Sequence, residues 1–568
     1  MMKKNTRLTY QNLRETTGNI RIVENGEEVT PEFALAGAES GCFLDFSEPV
    51  EDNSNYHNTI PEGQDSVTWA FDVEKSGHYR LIFRYNNPGF QMAGHRNLRD
   101  ERNCRVMLDN PKDVLGTTGW LGWMIFNVSG YAQGQAIGSP QTKETIAGNQ
   151  AWNLNFMNCY LEKGHHTLTL AIQAPPGQAV YDGPNLDWIE IEELDETKLP
   201  SVPEIPTNFS FQHPGLTLTM SNLGRLKSSL VNRDPRLFDC LNEVKNSPLA
   251  QLTYQPHVVK QIDVGPYNQP NIGGEEWTKD CIAAHYHAFL WAVEGKIAHG
   301  KKAIEIMNTW SQSLEEIGAG NDLMLRFSLV GIEMICGAEI IVSLYNQDPS
   351  VAEEERWSQR EQEQFKRFIR EKLLAKTAPF YPQANGNWDA IIGSFNMAVA
   401  VFLEDLQLFK RCLRQYTLGD LQEGPCRSMG AIGNYLYESG ESQESSRDQV
   451  HARMGLTGLA TQAYIAKQQG IDLFSLVNQR LLKGFQYNAK YQIGKEVSSA
   501  TFISDRGRGQ ADVSSFGYEV ILSAYRNSSV DLADIKEAVA LTLHQGAQNE
   551  AGVAASHWGA LLLGNYDQ

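Results

Sequence analysis

Residues 280–317, DCIAAHYHAFLWAVEGKIAHGKKAIEIMNTWSQSLEEI, carry apolar side chains at helical spacing on both sides of a break at Gly295 and Gly300. Side chains three and four apart share one helix face, so the stretch predicts two amphipathic helices folded back on each other. The texture returns in DLMLRFSLVGIEMICGAEIIVSLY (322–345), FNMAVAVFLEDLQLFKRCLRQY (395–416) and TGLATQAYIAKQQGIDLFSLVNQRLLKGFQYNAKY (457–491). Helix pairs without intervening strands predict hairpins wound into a ring, an α/α toroid or incomplete α/α barrel, over 211–568. No short strict repeat is visible, which argues against a regular solenoid.

Upstream the period changes. DSVTWAFDV (65–73), GHYRLIFRYN (77–86), HHTLTLAIQA (165–174) and NLDWIEIEEL (185–194) are short, partly alternating runs between Gly, Pro and Asn turns. They predict a jelly-roll-like β-sandwich over 1–195. Three prolines in LPSVPEIPTN (199–208) mark 196–210 as a linker. The fold class expected is therefore multidomain β plus α, in keeping with a length of 568 residues.

A net charge of -19 disfavours nucleic acid and anionic membranes as partners. No uninterrupted apolar run reaches the roughly 20 residues of a membrane span. The N-terminus has no apolar stretch behind its basic residues, so the protein is expected to be cytoplasmic, or secreted with its signal already removed. The eight cysteines are scattered without a CxxC pair, which suits buried thiols better than disulfides or zinc. Composition is silent on oligomeric state.

Three polar stretches interrupt the helical pattern. The first, 254–291, is a Gly/Pro/Asn-rich loop with Tyr267, running into a helix with His285 and Tyr286. The second, PQANGNWDAIIGSFNMAVAVFLED (382–405), places Asn385, Asn387, Trp388 and Asp389 at a loop-to-helix junction. The third, ESSRDQVHARMGL (444–456), puts Arg447, Asp448, Gln449 and His451 on about one turn of an expected helix, Arg447 and His451 stacked on one face. Local structural uses compete with function here: Asn387 also fits a helix N-cap, and Arg447 a bridge to Asp448.

In order and spacing these stretches resemble the alginate lyase superfamily of α/α toroids, over roughly 250–530, and among its branches polysaccharide lyase family 38. RDQxH together with the GNW loop carries the likeness, supported by AAHYHAFLWAVEGKIAHGKKAIEIMNTWSQSL and FISDRGRGQADVSSFGYEVILSAY. Ahead of it, SVTWAFDVEKSGHYRLIFRYNN (66–87), GHHTLTLAIQ (164–173) and GPNLDWIEI (183–191) resemble carbohydrate-binding modules of the family 6 and 35 type. There Asn185 takes the place of a sugar-contacting asparagine, and Trp120 and Trp123 are candidates to stack on sugar rings.

The resemblance implies a lyase that breaks an anionic polysaccharide, alginate or glucuronan-like, by β-elimination. Such a reaction needs the C6 carboxylate neutralised, a base for the C5 proton and an acid for the leaving oxygen. Asn387 matches the family's neutralising asparagine, with Asn385 the alternative, and Arg447 its arginine. His451 is the candidate base, since imidazole titrates near neutrality. Tyr286 is the first candidate tyrosine, ahead of Tyr267 and Tyr437; Trp388, His285, Tyr267, Gln449 and Arg506 are candidate substrate contacts. No metal or other cofactor is required if protein donors suffice. The chain departs from family 5 lyases, whose loop reads NNHxxW where this one has Gly386, and whose tyrosine falls where this chain has Met454. Two rival readings are a glycoside hydrolase using a pair among Asp389, Glu438, Glu441 and Asp448, and a non-catalytic glycan-binding protein.

Overall fold

The computed structural model describes residues 6–18, 20–30, 33–34, 37–46, 65–87, 101–113, 118–127, 129, 152–172, 183–195, 199–232, 234–265, 268–419, 427–498, 503–505, 507–509, 516–544 and 558–563. Its front part holds β1 (Thr6–Leu8), β2 (Leu13–Thr17), β3 (Arg21–Glu24), β4 (Glu28–Thr30), β5 (Phe33–Ala34), β6 (Cys42–Asp45) and β7 (Ser66–Val73). It continues with β8 (Gly77–Asn86), β9 (Glu101–Leu108), β10 (Trp120–Asn127), β11 (Asn153–Leu161), β12 (Gly164–Ile172) and β13 (Asn185–Glu193). Two antiparallel sheets form, in the orders β10-β9-β12-β7-β2 and β11-β8-β13-β6-β3, with β1 also on β13.

Alternation decides which side chains meet between the sheets. Tyr79, Leu81, Phe83 and Tyr85 of β8 join Val67, Trp69 and Phe71 of β7 and Leu168 and Leu170 of β12 in one buried cluster. This core absorbs several candidate sugar contacts. Asn185 is buried and donates from Nδ2 to Asn86 Oδ1 at 3.0 Å. Trp123 is buried too, while Trp120 lies under the Arg105 guanidinium, 4.3 Å from the ring centre.

The chain leaving the Pro-rich segment is tied to the helical part. Phe209 stacks on Phe409 with ring centroids 5.8 Å apart. Gly215 and Leu216 each donate a backbone N–H to the buried Glu339 carboxylate at 3.1 Å.

The helical part runs α1 (Met220–Val231), α2 (Pro235–Asn246), α3 (Gly274–Glu294), α4 (Ile297–Ser313), α5 (Asp322–Ser343), α6 (Gln359–Phe368) and α7 (Ala375–Thr377). It goes on with α8 (Gly386–Phe402), α9 (Leu406–Leu418), α10 (Ile432–Tyr435), α11 (Gln449–Gln468), α12 (Leu476–Gln492), α13 (Phe516–Tyr525) and α14 (Ala533–His544). Packing follows the order α3, α5, α8, α11, α13, and returns to α3 through Gly559–Leu563 and α1. Trp277 of α3 touches Gly331 of α5, and the next contact along is Ala284–His285 with Gly337. On the far side, Ala390–Ile391 of α8 meets Gly458, and Gly393 meets Gln462, of α11. Between the pairs, Met324 of α5 packs on the cluster of Phe380, Tyr381 and Ile392, ahead of Gly331 on Phe395; residue numbers rise together throughout, so these helices run parallel and present their N-termini at one end of the ring.

Gly295 ends α3 at φ 73°, as its sequence suggests. Gly300 does not break anything. It lies inside α4, where a Cβ would stand 2.2 Å from the Tyr345 ring, so close packing explains it. The segment Asp322–Gln347 is long and apolar enough to cross a membrane by length and composition alone, although no uninterrupted apolar run of that length occurs in it. In this fold it is packed against α3 and α8, and 83% of its most apolar window is buried.

The two parts are joined along strand edges. Arg427 donates its N–H to Leu121 O at 2.9 Å, beside Gly122, whose φ of 148° brings backbone against backbone. Asn103 Nδ2 donates to Gln383 O at 3.1 Å, and the Tyr437 hydroxyl to Leu154 O at 2.6 Å. Met429 completes the apolar core of the sandwich.

Candidate functional site

Parallel helices bring the first turns of α8 and α11 together. Asn387, buried in the first turn of α8, donates its backbone N–H to Glu444 Oε1 at 2.9 Å. Its Nδ2 donates to Glu444 Oε1 and Oε2 at 2.9 and 2.8 Å. Arg447 Nη1 reaches Glu444 Oε2 at 3.2 Å, and Arg447 Nε lies 4.0 Å from Asp448 Oδ2.

Asp448 is the N-cap of α11: its Oδ1 accepts the His451 N–H at 2.8 Å. Its Oδ2 meets His451 Nδ1 at 2.7 Å. A carboxylate only accepts, so Nδ1 carries a hydrogen, and in the neutral imidazole the lone pair is then on Nε2. Burial alone would raise the Asp448 carboxyl, but His451 and Arg447 beside it hold it well below the usual carboxylate range. Glu444 and Asp448 are sealed in, whereas the Arg447 and His451 side chains are 17% and 29% exposed. The cluster thus has a carboxylate floor and a guanidinium–imidazole mouth.

The helix begins later than its sequence suggests. Residues 443–447 form turns and Asp448 is extended, so Arg447 and His451 meet through Asp448 rather than by stacking on one helical face. Gln449 does not line the mouth. It is buried, with Nε2 donating to Ser445 O and Ser504 O at 3.1 Å and Oε1 accepting from Asn488 and Gln492. All its capacity is spent holding segments together. Asn385 occupies the N-cap position of α8 without a side-chain cap bond, and its Oδ1 accepts from Asn127 Nδ2 at 2.9 Å. Trp388 is half-buried against Tyr381, ring centroids 5.1 Å apart.

The structure does not bring Tyr286 and His285 to this cluster. His285 lies eight residues beyond Trp277, and Asn387 eight before Phe395, which is level with Trp277 through Gly331. At about 1.5 Å per residue, roughly 24 Å of helix axis separates the two levels. There Tyr286 packs against Trp558, and burial pushes its hydroxyl upward. His285 bonds the buried Glu333 carboxylate, which also accepts from Trp558 Nε1 at 3.0 Å. Tyr437 belongs to the domain junction, its ring edge on Phe156. Tyr267 and Arg506 lie outside the described residues.

Asp389 is structural. It accepts the Tyr381 N–H at 2.7 Å and the Ser428 hydroxyl at 2.6 Å, and burial pushes its carboxyl up to about 6. Glu444 was missed as a site residue, although its place three before Arg447 is a legible pairing signal. An Asp opening an apolar helix is also an N-cap signal, which Asp448 carries besides its pairing with Arg447. For Asn127, on another domain, no local signal exists. No group of three or more potential metal ligands occurs among the described residues.

Residues 244–498 match the model of the alginate lyase family, a span that holds Asn387, Glu444, Arg447, Asp448 and His451. No curated protein matches the chain. Among solved structures, a family 35 carbohydrate-binding module from Clostridium thermocellum is 18% identical, covering 34% of this chain and 99% of its own, with a TM-score of 0.20. A family 35 module from Cellvibrio japonicus is 16% identical over 33% and 92%, with a TM-score of 0.20. A third, from Paenibacillus barcinonensis, is 17% identical over 31% and 100%, with a TM-score of 0.18.

Proposed function

We propose that the chain is a polysaccharide lyase cleaving a polyuronate, alginate or a glucuronan-like polymer, by β-elimination. The observation that carries this reading is the Asp448–His451 dyad beside the Arg447 guanidinium, within the span that matches the alginate lyase family. Arg447 offers its positive charge to the C6 carboxylate and stabilises the enediolate that forms when C5 loses its proton. His451 Nε2 takes that proton, and Asp448 fixes the tautomer and stabilises the imidazolium. Asn387 has its amide nitrogen committed to Glu444, so its part changes from neutralising donor to anchor. Glu444 in turn holds Arg447, and Asn387 Oδ1, which is buried without a partner, is left to accept from a sugar hydroxyl.

The protonated imidazole then serves as acid. The C5–H bond breaks and its electron pair forms the C4–C5 double bond as the C4–O4 bond breaks. The proton held on Nε2 passes to O4 of the departing sugar. One group serving both ends suits uronates whose C5–H and O4 lie on one ring face, mannuronate and glucuronate, rather than guluronate.

A hydrolase needs one carboxyl free to donate a proton and a second free to act on water or the sugar. Of the carboxylates offered for that role, Asp389 spends its oxygens on Tyr381 and Ser428, and Asp448 both of its own on His451. The experiment is to incubate the chain with polymannuronate, polyguluronate and glucuronan, following ultraviolet absorbance of the unsaturated uronate and reducing ends together. Absorbance rising with the first or third polymer is expected. Reducing ends without absorbance favour hydrolysis, and neither with retained binding favours a glycan-binding protein.

A further inference from the structure

The cluster has a second wall made by the sandwich. Asn127 ends β10 and donates from Nδ2 to Asn385 Oδ1 at 2.9 Å and to Gln443 O at 3.3 Å. The Gln443 side chain lies over Gly386, between Asn385 and Asn387, where an added Cβ would stand 2.4 Å from Gln443 Nε2. Around this point Asn127 Oδ1, Asn385 Nδ2, Asn387 Oδ1 and both Gln443 side-chain polar atoms are buried without a hydrogen-bond partner. Each such atom costs about 1–3 kcal/mol when left unmade, and folded proteins rarely gather several at one place. They are donors and acceptors both, uncharged, and one residue from the anchor of Arg447. That is the chemistry of a sugar-hydroxyl site, since each hydroxyl both donates and accepts.

We infer that Asn127 of the sandwich and Gln443 of the helical domain form a sugar-hydroxyl subsite beside Glu444, the carboxylate that holds Asn387 and Arg447. The β-sandwich is then a fixed wall of the cleft and not a detachable binding module. The strand-edge bonds at Leu121, Asn103 and Leu154 hold that wall in register. The inference rests on the lyase reading only for the choice of uronate as ligand.

The test uses the full chain and a mannuronate trisaccharide, with a glucuronate trisaccharide alongside. Gln443→Met removes two partnerless polar atoms at nearly constant volume, so a purely structural role predicts an unchanged or higher melting temperature and unchanged binding. The subsite predicts the same melting behaviour with binding weakened at least about tenfold by calorimetry, a loss of about 1.4 kcal/mol. Asn127→Ala is expected to weaken binding likewise. Wild-type affinity in both variants would overturn the subsite and leave ordered water as the partner of these amides. Wild-type elimination with that result keeps the lyase reading. Trisaccharide binding that falls in both variants, without elimination by the wild type, keeps the subsite and sinks the lyase.

Discussion

Replacing Asp448 by Asn separates chemistry from folding at one position. Asn and Asp are comparable helix N-caps, so an amide oxygen still accepts the His451 N–H and α11 starts as before. What disappears is the charge against His451 Nδ1. A hydrogen bond to a charged group contributes about 1.5–3 kcal/mol, or about one to two decades of rate if expressed wholly in the transition state. An amide can also donate to Nδ1, leaving the hydrogen on Nε2, the wrong tautomer for a base. Together these predict a kcat loss of about 10² to 10⁴ with KM within about threefold. Stability follows the depressed carboxyl of Asp448. Its contribution is present above the unfolded pKa of about 3.9 and is lost as pH falls through the lower folded value. The melting gap between wild type and Asp448→Asn is therefore full at neutral pH and closes in acid. The assay is initial rate by ultraviolet absorbance, with melting followed by circular dichroism. A kcat within threefold of wild type would refute the dyad.

Three further outcomes follow from the geometry. Tyr286→Phe should keep kcat within about twofold, since roughly 24 Å of helix axis separates it from Asn387; a hundredfold loss would return the tyrosine to the site. Glu444→Gln turns an amide nitrogen toward the Asn387 and Arg447 donors and should destabilise the chain by about 2–4 kcal/mol, read as a lower urea midpoint. Asp389 is protonated more readily folded than unfolded, so wild-type stability should fall as pH rises from about 4 to about 6, by up to about 3 kcal/mol. Asp389→Asn should flatten that window, and parallel wild-type and variant urea profiles would contradict it.

Most of the fold was legible because two periods, near 3.6 and 2, separate the halves without help from tertiary contacts. Gly300 misled because a helix break and a close approach to Tyr345 demand the same residue. The Asn387, Arg447 and His451 grouping was legible from local order. The roles were less so. Spacing cannot say that Asn387 spends its amide nitrogen on Glu444, nor that Gln449 is consumed by Ser445, Ser504, Asn488 and Gln492. Tyr286 was misplaced because depth within a ring of parallel helices depends on how α3, α5 and α8 are staggered. Asn127 comes from a domain with a different period, and only the docked strand edge brings it to α8.

The most direct measurement is a crystal structure of His451→Ala with a bound mannuronate or glucuronate oligomer. It should place one C6 carboxylate on the Arg447 guanidinium, at about 2.7–2.9 Å, with the neighbouring C5–H facing the space vacated by the imidazole. An oligomer on another face of the ring, or a carboxylate turned away from Arg447, would contradict the account.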